Sequence, residues 1–212
     1  MGATSLARIT GIVYLLYFLT AIAGAQLTGG VTGVGAASGE LIHEPMYRLG
    51  VAVGELSTLL YLVLVALLYR LLLPVDGTVA ILALVFGAVG CAVTAVAAVF
   101  QIAAPVDPDL AVAFLSLNRQ ALHVALAFFA GFDVFIGVLV YRSRFLPRFI
   151  GALMVVSGGG WMITLAPTLP PPVAIPIALI GGLAEVALMV SLLAFGVRRT
   201  PTATSASSHV GV

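Results

Sequence analysis

The sequence contains no lysine, a single cysteine and few charged residues of either sign. Charged residues make up 8% of its 212 residues, whereas an ordinary soluble domain has roughly 25%. Hydrophobic residues account for 62%, and the mean hydropathy is +1.22. A soluble domain of this size must cover its outside with polar side chains. The composition therefore excludes a soluble globular protein and predicts a chain whose outer surface faces lipid.

The small net charge and the low numbers of cysteine and histidine exclude several kinds of binding site. Nine arginines against eight acids leave a formal net charge of +1, which is too little for the basic footprint of a nucleic-acid-binding protein. Cys91 is the only cysteine, so the chain can build neither an internal disulfide framework nor a cysteine-based metal site. One intramembrane histidine is too few for a haem held by two imidazoles. We expect no metal, no other cofactor and no nucleic-acid partner.

Six apolar runs are long enough to cross a bilayer, for which a helix needs about 20 mostly apolar residues. None shows the alternation of a barrel strand, and helices satisfy their own backbone hydrogen bonds in lipid. The sequence therefore predicts an all-α integral membrane protein, with one six-helix transmembrane domain over residues 1–199 and a disordered cytoplasmic tail over 200–212. The predicted spans are residues 9–28, 49–73, 79–103, 121–141, 149–166 and 173–197.

The arginines predict the orientation of this bundle. With a cytoplasmic amino terminus, seven arginines lie on the inner side and two on the outer side, which is the positive-inside bias. The inner set is Arg8, Arg70, Arg142, Arg144, Arg148, Arg198 and Arg199, and the outer set is Arg48 and Arg119. We expect both termini in the cytoplasm, the longer connections 29–48 and 104–120 outside, and the plasma membrane of a bacterium as the location.

The first span permits a second interpretation. Arg8, the apolar stretch that follows it, and the small residues Ala23-Gly24-Ala25 are also typical of a secretory signal peptide with its cleavage site. Cleavage would remove one span and leave the orientation of the other five unchanged.

Small, proline and aromatic residues indicate how the helices pack. Glycines predict close helix approach at Gly87/Gly90, Gly158–Gly160 and Gly181/Gly182. The proline-rich stretch 167–176 predicts a stiff extended crossover, with Pro176 in the first turn of the last helix. Tyr69 and Tyr141 fit an inner interface belt, and the other tyrosines and the tryptophan are expected in packing.

Several stretches resemble a known family. The opening Ala7–Leu16, the second span Arg48–Leu72 and the connection Tyr141–Gly151 are similar to the bacterial membrane proteins of domain-of-unknown-function family 4386. An element near Gly182 and Glu185 extends the similarity over almost the whole chain. The resemblance implies a multi-pass plasma-membrane protein, and it supplies neither an activity nor catalytic residues.

Two carboxylic acids fall near the middle of predicted spans. An ionisable side chain in hydrocarbon costs from about 2.5 kcal/mol upward, so each needs a partner, a water-filled cavity or neutralisation. Asp133 and Glu185 lie at similar depth with no arginine nearby. On adjacent helices they would share a proton, and could relay protons or protonate a lipid-like substrate. Alternatively, each is neutral and donates a hydrogen bond to a backbone carbonyl or to Thr94, Gln101, Ser157 or Thr164.

A second polar group is expected near the outer surface. Arg48 and Glu55 are seven residues apart and share a helix face, about 10 Å apart along the axis. Arg119 and His123, four residues apart, share another face. If these faces meet, Arg119 neutralises Glu55 in an outward-facing pocket. The loop residues that would roof this pocket are Glu40, His43, Glu44 and Asp107.

Purely structural interpretations of the same residues remain open. The two arginines at helix ends would reach to the interface or bind phosphate. Glu55 would form a structural salt bridge or hydrogen bond, and His123 a structural hydrogen bond.

These observations leave three functional hypotheses. The first is a carrier of a small solute, proton-coupled or not, or an accessory subunit, with Glu55, Asp133 and Glu185 lining an internal polar site. The second is an intramembrane enzyme that acts on a prenyl- or lipid-like substrate, with one carboxylic acid as proton donor. The third is a helix-assembly protein whose buried acids orient helices. We favour a non-enzymatic protein, with the lipid bilayer as its partner and a small hydrophobic or lipid-like molecule as a candidate ligand.

Overall fold

The computed structural model describes residues 2–28, 45–107, 109–143, 145–165 and 171–194. These residues form six helices and, over the same ranges, no strand. The helices are α1 (Ala3–Leu27), α2 (Pro45–Leu72), α3 (Gly77–Ala103), α4 (Ala111–Arg142), α5 (Arg148–Thr164) and α6 (Pro171–Ala194). The predicted all-α class is confirmed.

Four of the helices, α1 to α4, are long and apolar enough to cross a membrane. The apolar stretches found in α5 and α6, Arg148–Ile163 and Leu179–Ala194, are shorter. Large apolar side chains such as Leu59, Val99 and Leu183 are exposed on the outside of the bundle. A continuous exposed apolar surface marks contact with a membrane, so the protein is a membrane protein.

The helices form a closed ring in chain order. Each helix packs against the one that follows it, and α6 packs back against α1. Neighbouring helices run antiparallel, because Gly11 near the start of α1 lies against Leu193 near the end of α6, and Gly24 near the end of α1 lies against Gly54 of α2. Buried apolar side chains from all six helices form one core cluster inside the ring.

Glycines allow neighbouring helices to touch through their backbones. A Cβ at Gly158 would lie 2.5 Å from the Ala130 carbonyl oxygen, and one at Gly137 would lie 2.7 Å from the Gly151 carbonyl oxygen. Only glycine permits such an approach between α4 and α5. The close approach predicted from the sequence is confirmed at Gly87, Gly90, Gly158, Gly160 and Gly181, whereas a Cβ at Gly159 or Gly182 would meet nothing within 4 Å.

An outer loop over residues 104–120 is a wrong prediction, because α4 begins at Ala111. The helix continues through Asn118, Arg119 and Gln120. The buried Asn118 amide donates a hydrogen bond to the Ala97 carbonyl oxygen of α3 at 2.8 Å, and the other two side chains are exposed. With 32 residues, α4 is about 48 Å long, which exceeds the hydrocarbon thickness of about 30 Å. Its first turns therefore extend beyond the predicted span.

Two other helix starts differ from the prediction. The first connection is shorter than predicted, because α2 begins at Pro45 and not after Arg48. The predicted extended crossover over 167–176 is wrong from Pro171 onward, because the last helix begins there and Pro176 lies in its second turn and not in the first. Proline is tolerated at the first position of a helix because the first N–H groups have no intrahelical partner, which accounts for Pro171 but not for Pro176. The predicted tail, residues 200–212, lies outside the described residues.

Asp76 connects the turn before α3 to the end of α4. Its Oδ1 accepts a hydrogen bond from the Val79 backbone N–H at 3.1 Å, as the N-cap of α3. Its Oδ2 lies 2.9 Å from Arg142 Nη1, and this is the one ion pair found in the described part of the chain. The Asp76 carboxylate therefore both caps α3 and forms an exposed ion pair with Arg142.

We expect Asp76→Ala to lower the thermal midpoint of the purified protein by several degrees. Loss of an N-cap costs about 1 kcal/mol, or about 2–4 °C for a chain of this size, whereas an exposed ion pair contributes little. Arg142→Ala removes only the ion pair, and Asp76→Asn keeps a capping oxygen, so both should stay close to the wild type. Circular dichroism in detergent measures the midpoints, and equal losses in Asp76→Ala and Arg142→Ala would contradict the capping role.

Candidate functional site

A cavity of about 250 Å³ lies inside the ring and receives side chains from all six helices. Its lining residues are Tyr17 and Ala21 of α1, Ser57, Thr58 and Tyr61 of α2, Cys91 and Thr94 of α3, Leu126, Phe129 and Asp133 of α4, Trp161 of α5 and Glu185 of α6. On α1, α3 and α4 these residues recur at spacings of three, four or seven, and on α2 Tyr61 lies three and four residues after the adjacent Thr58 and Ser57, so each of these helices turns one face to the cavity. We call this volume the central cavity.

Asp133 and Glu185 both line the central cavity. Each lies nine residues before the end of its helix, or about 14 Å from that end. Because α4 and α6 run in the same direction and both side chains line one cavity, the two carboxyl groups lie at a similar depth in the bundle. Asp133 is only 3% exposed, whereas Glu185 keeps part of its surface accessible. No group of three His, Cys, Asp or Glu side chains is arranged to hold a metal ion within the described ranges.

The two carboxyl groups have different neighbours. The Tyr14 hydroxyl of α1, which is buried, lies next to the Glu185 carboxyl. The Ser157 hydroxyl of α5 lies next to the Asp133 carboxyl, but it is buried and makes no hydrogen bond of ordinary geometry with the rest of the described structure. Thr94, another predicted partner, donates its hydroxyl to the Gly90 carbonyl at 2.9 Å. The Ser157 hydroxyl beside Asp133 can therefore still form a hydrogen bond.

Aromatic rings form a wall of the central cavity. Tyr61 contacts Tyr17, with ring centroids 4.6 Å apart, and Phe129, with centroids 5.2 Å apart and an edge-on geometry. These rings come from three helices, and Trp161 of α5 lines the same cavity. Aromatic faces carry partial negative charge and attract cations. The cavity thus combines a π-rich wall with two acids.

The remaining predicted site residues lie outside the central cavity. Arg48 and Glu55 line a separate groove of about 400 Å³ between α2 and the end of α3. Arg119 and His123 are exposed on α4 and do not line this groove. Glu55 lies in this groove and Arg119 lies outside it, and the predicted pairing of Arg119 with Glu55 does not form among the described residues.

The predicted roof of the outer pocket is only partly within the described residues. Glu40, His43 and Glu44 lie outside them. Asp107 accepts hydrogen bonds from the backbone N–H groups of Asp109 at 3.1 Å and Leu110 at 3.3 Å. It therefore organises the turn that precedes α4.

The comparisons with known proteins identify a family. A family model described as a domain of unknown function, DUF4386, matches residues 9–196. The chain belongs to this family. The match includes every residue that lines the central cavity, and the resemblance predicted from the sequence is confirmed. No curated protein and no solved structure shows a significant match to the chain.

Several aromatic residues of the site were assigned to packing by the sequence pattern alone. They are the lining residues Tyr17, Tyr61 and Trp161, together with Tyr14, which the DUF4386 bundle brings next to Glu185. One signal for them is present in the sequence: Phe129 precedes Asp133 by one helical turn, and an aromatic residue at this spacing from an intramembrane acid shares its helix face. The rings on other helices carry no comparable local signal.

Proposed function

We propose that this protein is a proton-coupled carrier of a small solute, with Asp133 and Glu185 as its proton-binding pair. The observation that supports the proposal is the central cavity, because every helix of a closed ring lines it and it contains both acids. Transporter sites characteristically lie near the bilayer midplane, between helices whose rearrangement opens them to either side. Two carboxyl groups that face one cavity bind protons jointly, which supplies a means of coupling.

The carrier proposal includes a membrane topology. All six helices cross the plasma membrane of a bacterium as one domain over residues 1–199, with both termini in the cytoplasm. The arginines Arg8, Arg70, Arg142 and Arg148 support this orientation, because all four lie at the end of the ring where α1 begins and α2 ends. The shorter helices α5 and α6 are included because they close the ring between α4 and α1.

The first helix is retained in the proposed carrier. Tyr14 lies next to Glu185, and Tyr17 is part of the aromatic wall. Cleavage of α1 as a signal peptide would remove both residues and open the ring between α2 and α6. The intact mass of the purified protein tests this point, because cleavage after the small residues Ala23-Gly24-Ala25 would remove more than 20 residues.

Cys91 allows the native chain to report access to the cavity. It is the only cysteine and it lines the central cavity. In sealed proteoliposomes of one orientation, a small membrane-impermeant methanethiosulfonate reagent should label Cys91 from either side, because a carrier opens its site to both. The Cys91→Ala variant measures background, and Ser57→Cys in that background provides a second reporter that lines the same cavity.

Variants of the two acids test whether access to the cavity depends on proton binding. Asp133→Asn combined with Glu185→Gln should remove the pH dependence of the ratio of Cys91 labelling rates from the two sides, because the proton-binding pair is lost and ionisation of the thiol itself affects both rates alike. Glu55→Gln neutralises a carboxyl group that lies outside the cavity and should leave the pH dependence unchanged. Labelling of both reporters from one side only, or of neither from any side, would contradict the carrier.

A lateral groove favours a second candidate function. Apolar side chains of Ile163 and Ile177, together with Gly160 and Ser157, line a groove of about 310 Å³ between α5 and α6. In an intramembrane enzyme this groove would take a prenyl or acyl chain, and Asp133 beside Ser157 would donate a proton. Mass spectrometry of copurifying lipids tests this candidate, and a bound chain that is lost in Gly160→Leu would support it.

A further inference from the structure

We infer that the central cavity binds an organic monocation whose ammonium centre carries small alkyl substituents. The inference rests on the proposed binding function of this cavity and specifies its substrate class. It follows from three features that meet in one volume: paired acids, an aromatic wall, and a lining without basic side chains among the described residues.

The acids determine the sign of the charge. Asp133 and Glu185 line the central cavity, and none of the described lining residues is an arginine or a histidine. When one acid of the pair is ionised, the cavity holds a negative charge without a counter-charge, which is costly in a medium of low dielectric constant. A monocation in the cavity compensates this charge, whereas an anion would add repulsion.

The aromatic wall determines the kind of cation. Tyr61 contacts both Tyr17 and Phe129, and these rings lie in the same lining as the acids. Aromatic cages of this type recognise quaternary and alkylated ammonium groups through cation–π attraction. Hard inorganic cations such as Mg²⁺ or Ca²⁺ require shells of six or more oxygen ligands, and the mostly apolar lining does not provide one. An ammonium ion with alkyl groups matches both the charge and the apolar surface.

The size and the hydroxyl groups of the cavity limit the solute further. Its volume of about 250 Å³ is below the range of about 300–1,000 Å³ for drug-sized ligands, so the cation has few carbon atoms. Thr58 and Thr94 donate their hydroxyls to their own helices, which leaves acceptor lone pairs for a solute hydroxyl or N–H.

Trp161 provides a direct test of binding. It is the only tryptophan of the chain and it lines the cavity, so its fluorescence reports occupancy without a label. Choline, its neutral isostere 3,3-dimethylbutan-1-ol and the anion 3,3-dimethylbutanoate have similar shapes and differ in charge. Titrated into the full-length protein in a non-ionic maltoside detergent, choline should change the Trp161 emission saturably, with a half-saturating concentration at least roughly tenfold below that of the isostere. The anion should produce no saturable change.

Substitutions of the acids and of the aromatic wall assign the preference to the cavity. Asp133→Asn combined with Glu185→Gln should reduce the preference for choline over its isostere roughly tenfold, leaving only the part that the aromatic wall supplies, whereas Glu55→Gln should keep the full preference. Tyr61→Leu removes the central ring and should weaken choline roughly tenfold while changing the isostere much less. Tyr17→Leu probes the same wall if Tyr61→Leu does not fold.

The outcomes separate this inference from the carrier proposal. Equal binding of choline and its isostere, preference for the anion, or no saturable signal with choline, tetramethylammonium and tetraethylammonium would each overturn the organic cation. None of these results affects labelling of Cys91 from both sides, which tests the carrier. A choline preference together with one-sided labelling supports an organic-cation site in a protein that is not a carrier.

Discussion

Gly158→Ala is expected to lower the thermal stability of the protein sharply, whereas Gly159→Ala, one residue further along α5, leaves it unchanged or slightly raised. A Cβ at position 158 would lie 2.5 Å from the Ala130 carbonyl oxygen and 3.0 Å from the Val134 backbone nitrogen. Both atoms belong to the α4 backbone and cannot rotate away, so the two helices must separate. At Gly159 a Cβ meets nothing within 4 Å.

The size of this effect follows from overpacking. Insertion of a methyl group into a well-packed interior costs about 1–3 kcal/mol, which corresponds to a fall in the thermal midpoint of about 2–12 °C for a chain of this length. At Gly159 the better helix propensity of alanine, about 1 kcal/mol, acts alone. Thermal unfolding followed by circular dichroism in detergent gives both midpoints. Equal effects of the two substitutions would show that α4 and α5 are not in backbone contact at Gly158.

A reporter enzyme that is active only in the periplasm should be inactive when fused after Val212 and active when inserted between α1 and α2. The arginines predict this result, because the positively charged connections stay in the cytoplasm. The effect is all-or-none, since each connection lies on one side of the membrane. A reporter that is active only in the cytoplasm should show the opposite pattern at the same positions.

Two further fusion sites determine how many helices cross. Fusion after Val75, in the turn between α2 and α3, should behave like fusion after Val212. Insertion between α5 and α6 should be active in the periplasm if all six helices cross, and inactive if only α1 to α4 do. Periplasmic activity after Val212 would contradict the proposed orientation of both termini.

Much of the architecture was predictable from local patterns. Runs of about 20 apolar residues identify the helices, because the length needed to cross hydrocarbon is a property of one segment alone. The depth of Asp133 and Glu185 was also predictable, since each position along a helix contributes the same rise. Family membership followed from short stretches such as Tyr141–Gly151, which the match over residues 9–196 confirms.

The extent of α4 was not predictable in the same way. Asn118 ends an apolar run, and a polar residue at this position favours a loop. The helix continues because the Ala97 carbonyl oxygen of α3 accepts a hydrogen bond from the Asn118 amide. The atom that makes this residue acceptable inside the helix therefore belongs to another helix.

Which polar residues meet was decided by the order of helices around the ring. Glu55 on α2 and Arg119 on α4 have opposite charges, but Glu55 lines a groove beside α3 and the exposed Arg119 does not, and only a closed ring brings Tyr14 of α1 to Glu185 of α6. A helix face is encoded by residues three to seven positions apart, so it can be read from the chain itself. The neighbour of that face depends on how six helices pack together, which is a property of the whole bundle.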